Sequence, residues 1–233
     1  MSNSARLYHH AHHFPSARHE AETAKLGMWI FLATEILLFS GLFMAYAAFR
    51  YTHADTFKTV HHLLDWKLGA VNTMVLIFSS LTMALAVRAS QLSKQTQAVG
   101  YLSLTLVCGA AFLVVKYFEY THKIELGTLP GGGDHGLWKP DYAALAAEHG
   151  AQFVEKLKTV EAPHLFMGLY FLMTGLHGLH VLIGMVVIAW VLLRTMRGDF
   201  SSKYFFPVEN VGLYWHLVDL IWIYLFPLLY LVG

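Results

Sequence analysis

The sequence predicts an all-α, polytopic membrane protein: a bundle with five transmembrane helices. The chain is 56% apolar and only 13% charged, and five separate apolar runs are each long enough to span a bilayer, which takes about 20 residues in a helix. The formal net charge of +1 supplies neither the basic surface that nucleic acids require nor the polarity of a soluble domain. We therefore expect a membrane protein that does not bind nucleic acid.

The apolar runs define the predicted spans and divide the chain. The spans cover about residues 26–49, 68–87, 98–117, 164–193 and 208–232. The fourth run would extend for about 43 Å as a helix, more than a hydrocarbon core of ~30 Å, so it is tilted or projects beyond the bilayer. Residues 1–25 form a tail ahead of a membrane domain at 26–233. Residues 121–162 are the one sizeable extramembrane loop, and its Ala, Leu and Glu content before Pro163 predicts a surface helix.

The distribution of Lys and Arg predicts the orientation. The short loops at 88–97 and 194–207 are basic and contain one acid, Asp199, whereas the basic residues of the long loop are spread over many positions. Cytoplasmic loops carry an excess of Lys and Arg. We therefore expect the N-terminus in the cytoplasm and the C-terminus outside.

The tail is rich in histidine. Its cluster consists of His9, His10, His12 and His13. Because imidazole titrates near neutral pH, one hypothesis is a proton antenna at the membrane surface. The alternative is a solvated tail without a specific role.

Glu35 lies deep inside the first predicted span. An ionised carboxylate there costs several kcal/mol unless it is protonated, paired or next to water. Its neighbours one turn away are apolar, so any partner must come from another helix. The alternative is a protonated Glu35 that bonds a backbone carbonyl.

Two further spans carry polar side chains that can join Glu35. His177 and His180 are three residues apart on one helix face, on or beside which Gly175, Gly178 and Gly184 favour close helix packing. Each imidazole can take part in function or simply fix helix packing.

The last span predicts a partner for Glu35. Counting residues from the start of each span puts His216 at a depth similar to that of Glu35, with Asp219 one turn further along. We therefore expect a buried polar network that includes Glu35, His216 and Asp219, with His177 and His180 nearer the middle of the membrane. Lys116 and Glu119, at the end of the third span, form a pair that we interpret as structural.

Five blocks of the chain resemble, in order, subunit III of the haem-copper cytochrome c oxidases in its five-helix bacterial form. The blocks are LGMWIFLATEILLFSGLFMAY, VNTMVLIFSSLTMALAV, KYFEYTHKI, GLYFLMTGLHGLHVLIG and VENVGLYWHLVDLIWIYLFPLLYL. In this resemblance the buried glutamate of the family maps to Glu35 and its helix-borne histidines map to His177, His180 and His216. The other matching positions are Asn72, Glu119, Glu209, Trp215 and Asp219.

The resemblance implies an accessory subunit with no catalytic residue and no cofactor or metal of its own, in the bacterial cytoplasmic membrane. Haem and copper are then expected in the partner subunits. Similar chains pack on the catalytic subunit I of a proton-pumping terminal oxidase that also contains subunit II, bind membrane phospholipid, and support proton uptake and durable turnover. Longer members have two additional N-terminal helices that complete a lipid cleft, so the cleft residues are not transferred. Membership of a respiratory supercomplex stays open.

Several alternatives stay open at this point. Related subunits occur in quinol oxidases and in nitric-oxide reductases, and the sequence Ala-Thr-Glu at 33–35 favours the cytochrome c oxidase. A small membrane haem or metal protein would use His177, His180 and His216 as ligands, but their estimated depths differ. A proton-coupled transporter would use Glu35, but no internal repeat accompanies it.

Overall fold

The computed structural model describes residues 14–130 and 138–232, and it confirms the all-α membrane fold. In chain order the helices are α1 (Ala17–Thr52), α2 (Ala54–Val60), α3 (Trp66–Gln91), α4 (Gln95–Glu125), α5 (Tyr142–His149), α6 (Ala151–Thr159), α7 (Pro163–Met196) and α8 (Phe206–Phe226). A 3-10 turn, His61–Leu63, follows α2, and a π-helical turn, Pro227–Leu231, follows α8. Five of these helices, α1, α3, α4, α7 and α8, are long and apolar enough to cross a membrane. The described residues contain two isolated β-bridges and no strand.

The helices extend beyond the apolar runs. Helix α1 begins at Ala17, nine residues before the predicted span, where the Ser16 hydroxyl accepts a hydrogen bond of 3.2 Å from the amide of His19. Such a cap satisfies a donor that has no partner within the helix. The predicted surface helix is divided into α5 and α6 at Gly150, whose φ of +90° interrupts the helical backbone. Helix α2 lies in the connection between the first two predicted spans, where the sequence analysis predicted no helix.

The chain divides into two compact units, each containing a part of all five long helices. Among the described residues, unit 1 consists of 14–37, 75–111 and 180–220. Its core surrounds the buried indole of Trp215, which packs on two glycines. A Cβ at Gly184 would lie 2.9 Å from the ring and one at Gly109 would lie 3.0 Å from it. A side chain at Gly184 would therefore displace the indole, and one at Gly109 would press closely against it.

Of the part of the chain that the structure describes, unit 2 contains 38–74, 112–130, 138–179 and 221–232. Its core is aromatic: the buried ring of Phe57 lies edge-on to Tyr46 at 5.2 Å and to Phe166 at 5.3 Å between ring centroids. These contacts fix α2 against α1 and α7. The extramembrane helices join the same unit through the hydroxyl of Thr56, which donates to the carbonyl of Glu161 at 2.6 Å.

Candidate functional site

The centre of the candidate site is a buried pair in unit 1 formed by Glu35 of α1 and His180 of α7. Nε2 of His180 lies 2.8 Å from Oε2 of Glu35, and the two side chains are only 11% and 15% exposed. The ring nitrogen and the carboxyl oxygen lie within hydrogen-bonding distance, whichever of the two carries the proton. This contact explains how a carboxyl group is accommodated in the middle of an apolar helix.

Helix α8 completes the surroundings of this pair. The hydroxyl of Tyr214 donates to the backbone carbonyl of His180 at 3.1 Å, and its ring lies 5.9 Å from that of Phe31 on α1. The tyrosine therefore links the helices that carry Glu35 and His180. The sequence analysis did not single out Tyr214, because an aromatic residue in an apolar span is usually a packing residue.

The structure places His216 against α3. Its Nδ1 lies 2.7 Å from the hydroxyl oxygen of Ser80, while the indole N–H of the preceding Trp215 donates to Ser79 at 3.0 Å. Consecutive side chains of α8 thus bond consecutive serines of α3. Asp219 is buried near Ser80, and neither of its carboxyl oxygens has a hydrogen-bond partner of ordinary geometry among the described residues.

Four of the five residues of the predicted network, all except His177, therefore lie in two clusters of unit 1. One contains Glu35 and His180, and the other contains His216, Ser80 and Asp219. The depth estimate that paired Glu35 with His216 assumed that the first helix starts near Leu26. Because α1 begins nine residues earlier, Glu35 lies midway along its helix, as His180 does along α7.

His177 belongs to unit 2, where it is fully buried among aromatic rings. Its ring lies 5.5 Å from Phe112 in an edge-on arrangement and 5.1 Å from Trp222. Gly178, next to it, has open space where a side chain would be, whereas Gly184 packs tightly on Trp215. Of the glycines on this part of α7, Gly184 makes the close approach.

Unit 2 contains a second buried polar cluster around Lys116 and Glu119 of α4. Nζ of Lys116 lies 2.8 Å from the carboxylate of Glu119 and 2.8 Å from the hydroxyl of Tyr230. Tyr170 and Tyr230 donate to the other carboxylate oxygen at 2.9 and 2.5 Å. The ammonium also lies about 5 Å from several ring centroids, at 5.0 Å for Trp222. Both charges are therefore buried with their hydrogen-bonding capacity used.

The remaining motif positions have different surroundings. Glu209 accepts a hydrogen bond of 2.7 Å from Lys25, which ties the start of α8 to α1 within unit 1. Asn72 is buried in unit 2, and neither its amide nitrogen nor its amide oxygen has a hydrogen-bond partner among the described residues. The tail histidines His9, His10, His12 and His13 lie outside the described residues.

Two features of the site were absent from the sequence analysis. The tyrosines of the Lys116 cluster, Tyr170 and Tyr230, come from α7 and from the π-helical turn, and no local pattern marks them. Ser79 and Ser80 lie in the second predicted span, where small polar residues usually serve only to pack helices together. Among residues 14–130 and 138–232, no group of three or more His, Cys, Asp or Glu side chains is arranged to hold a metal ion.

Comparisons with known proteins agree with the sequence resemblance. A family model described as "Cytochrome c oxidase subunit III" matches residues 150–233, which include α7 and α8. A protein of Staphylococcus aureus named "Probable quinol oxidase subunit 3" is 27% identical over 228 residues, covering 97% of this chain and 98% of the relative. A protein of the same name from Staphylococcus epidermidis is 26% identical over 227 residues.

Proposed function

We propose that this chain is a subunit III of the haem-copper oxidase type, an accessory subunit of a proton-pumping terminal oxidase with no redox centre of its own, as the family-model match and the full-length relatives support. Haem and copper then belong to partner subunits. The proposed role is to pack on the catalytic subunit I, in a complex that also contains subunit II, and to support proton uptake and durable turnover.

The observation that supports this role most directly is the exposure of α1. Only 11% of the most apolar part of α1 is buried within the chain, against 50% for α8. Yet this helix carries Glu35, and His180 of α7 uses a ring nitrogen to pair with it. The apolar surface of α1 is mostly uncovered, and its contact with His180 holds it in the bundle. It is therefore suited to contact a neighbouring subunit.

The proposal also includes a setting. We place the chain in the bacterial cytoplasmic membrane with its N-terminus in the cytoplasm, in contact with membrane phospholipid. The basic short loops at 88–97 and 194–207 support this orientation.

Purification of the assembled complex tests the proposed role. A tag on the C-terminus of this chain, followed by mild-detergent purification, is expected to retain subunits that contain haem and copper. The same chain expressed alone is expected to contain neither. Stoichiometric haem in the isolated chain, or purification of the native chain without any haem-bearing partner, would contradict the proposal.

For the electron donor, we favour a quinol. The relatives that match the chain along its whole length carry the name of a quinol oxidase subunit. A cytochrome c donor is the second candidate, because the family model that matches residues 150–233 carries that description and the sequence Ala-Thr-Glu at 33–35 favours it.

Donor assays on the same purified complex decide between the two. Rapid oxygen uptake with a reduced ubiquinol or menaquinol analogue, and slow uptake with reduced cytochrome c, is the expected result. The opposite preference would assign the complex to the cytochrome c oxidases and leave the accessory role of this chain unchanged.

A further inference from the structure

A cavity of about 420 Å³ opens in unit 2 where α5 meets α3 and α4, and its volume is typical of small-ligand sites. Its lining residues come from the 3-10 turn and the start of α3, from the end of α4, and from the last two residues of α5. The cavity therefore lies where the long helices of this unit meet its extramembrane helices.

One end of the cavity is apolar and open. It is lined by Trp66, Leu68 and Phe118, which are 54%, 40% and 65% exposed. Trp66 is the first residue of α3, and tryptophan is enriched at the level where membrane helices meet the lipid headgroups. A ligand with an apolar tail can therefore extend from the cavity into the membrane along these side chains.

The other end of the cavity is polar and has hydrogen-bonding capacity to spare. Nε2 of His122 lies 3.2 and 3.4 Å from the two carboxylate oxygens of Glu148, which is long for a charge-assisted bond. The two side chains are 49% and 40% exposed, so a ligand can reach them. Nε2 of His149 lies 3.5 Å from Glu148 but makes no hydrogen bond of ordinary geometry within the described part of the chain.

The charges that line the cavity select against an anion. Three carboxylates, those of Asp65, Glu119 and Glu148, face one ammonium group, that of Lys123, so an anionic headgroup would be repelled. Two of the carboxylates are already bonded. Asp65 accepts from a backbone amide at the start of α3 at 2.8 Å, and Glu119 is bonded within the Lys116 cluster. Glu148 is therefore the carboxylate that can accept a hydrogen bond from a neutral ligand.

We propose that this cavity holds a quinol, with a ring hydroxyl donating to Glu148 and the apolar tail leaving along Trp66 and Phe118. A quinol is neutral, aromatic and tailed, so it matches both ends of the cavity. A quinone has no hydroxyl to donate, so the carboxylate favours the reduced form. The choice of ligand rests on the proposed function, in which a quinol is the electron donor. No bond is broken in the cavity, and oxidation of the quinol belongs to the haem-bearing partner subunits.

Photolabelling of the purified complex tests this site. The probe is a ubiquinol analogue with a diazirine in its alkyl tail, used under argon so that the complex does not turn over. We expect label on peptides that contain Trp66 or Phe118, and excess decyl-ubiquinol should suppress it. The oxidised form of the probe should need about tenfold higher concentration for the same labelling, because one charge-assisted bond is missing.

A variant of Glu148 tests the contact to the hydroxyl. Glu148→Ala should raise the quinol concentration for half-maximal labelling about tenfold and leave labelling by the quinone probe unchanged. A merely structural role would weaken both forms of the probe equally, and that result would overturn the proposal.

The matched control removes an acid outside the cavity. Glu155→Ala changes an exposed residue of α6 that does not line it, and this variant should label like the wild type. Equal quinol labelling of both variants would overturn the proposal. Displacement of the probe by a short-chain phosphatidylcholine as readily as by decyl-ubiquinol would also overturn it, because the cavity would then be a lipid site.

This inference and the proposed function fail separately. A complex that oxidises only cytochrome c but binds the probe through Glu148 would refute the quinol donor and leave the cavity as a quinol site. A complex that oxidises quinol without label at Trp66 or Phe118 would refute the cavity and leave the donor unchanged.

Discussion

At the scale of the residue, Glu35 and His180 stabilise each other. A carboxyl group and an imidazole in an apolar environment each lack a partner when separated, and each supplies the other's hydrogen bond when they lie 2.8 Å apart. Loss of either one therefore removes this hydrogen bond from the other, which stays largely shielded from solvent. Variants of Glu35 that keep a hydrogen-bond acceptor should therefore differ from variants that remove it.

Glu35→Gln is expected to keep the bond to His180 and to allow assembly, because the amide oxygen can accept from the imidazole. Electron transfer in the complex should be unchanged, while activity should decline faster during prolonged turnover. Glu35→Ala removes the acceptor and is expected to cost about 1–3 kcal/mol of stability. Oxygen-uptake time courses and thermal melts of the purified complex measure the two effects.

Glu22→Gln is the control for these variants. Glu22 is also on α1, but its pair with Arg18 is exposed, and exposed pairs contribute little. We expect wild-type melting and wild-type durability. If Glu35→Ala behaved in the same way as this control, the buried pair would have no role in stability.

The sequence predicted that Glu35 needs a partner on another helix, but it did not predict which residue. Apolar neighbours one turn away on the same helix are visible in the sequence. The choice between His180 and His216 depends on where each helix begins, and α1 extends nine residues beyond the apolar run. It depends as well on the rotation of α8, which directs His216 toward Ser80.

At the scale of the element, the Lys116 cluster joins three parts of unit 2. Lys116 and Glu119 come from α4, Tyr170 from α7 and Tyr230 from the π-helical turn. These bonds therefore hold the π-helical turn against α4 and α7. The adjacent Lys123 donates to the carbonyl of Leu63, so its main bond is to the 3-10 turn rather than to Glu119.

Lys116→Met is expected to destabilise the chain by about 3–5 kcal/mol, since it leaves the buried Glu119 without its countercharge. Lys116→Met/Glu119→Gln should recover most of that loss. The double variant has no buried charge, and the amide oxygen still accepts from Tyr170 and Tyr230. Thermal unfolding of the purified complex, followed by tryptophan fluorescence, measures both.

The exposed pair Lys158 and Glu155 provides the comparison. Lys158→Met should leave the unfolding temperature unchanged because surface pairs contribute little. A double variant at Lys116 and Glu119 that unfolds as readily as the single variant would show that the pair contributes more than charge compensation.

We expect the stability of the extramembrane element formed by the short helices α5 and α6 to depend on pH. Burial lowers the pKa of His149 below its ordinary value of 6.5, although the nearby Glu148 opposes the shift. The other charged groups that act on it are Lys123, His122 and His62. The unfolded element therefore binds a proton at a higher pH than the folded one, and its stability is lost as the pH falls through 6.5 and below.

Hydrogen exchange of α5 and α6 at pH 7.5 and at pH 5.5 tests this coupling. After correction for intrinsic exchange rates, the wild type should lose protection at the lower pH. His149→Gln should show a smaller loss, because the glutamine has no titrating ring. Equal losses in the two proteins would assign the pH dependence to other groups.

At the scale of the whole molecule, the orientation across the membrane can be measured because the single cysteine, Cys108, is buried. Lys156→Cys, in the long extramembrane segment, should react with a membrane-impermeant maleimide in intact spheroplasts. Lys94→Cys, in a short basic loop, should react only after permeabilisation. Both lysines are exposed, and the wild type serves as the unlabelled control. The reverse pattern would place the N-terminus outside.

The five long helices were predictable because length and apolarity are local properties of the chain. The arrangement of side chains between helices was less predictable from the sequence. The fit of Trp215 against Gly184 and Gly109 requires helices that are far apart in sequence. The break between α5 and α6 was not predicted, because it depends on one residue, Gly150 with its positive φ, within a stretch whose composition is otherwise helical.

The sparse burial of α1 has a consequence for the cell. With only 11% of its most apolar part covered by the rest of the chain, α1 offers most of its surface to the neighbouring subunits of the proposed complex. A copy made in excess of those neighbours would leave α1 uncovered, which would make it a substrate for membrane quality-control proteases. The steady-state amount of this protein should therefore follow the supply of its partners more closely than its own rate of synthesis.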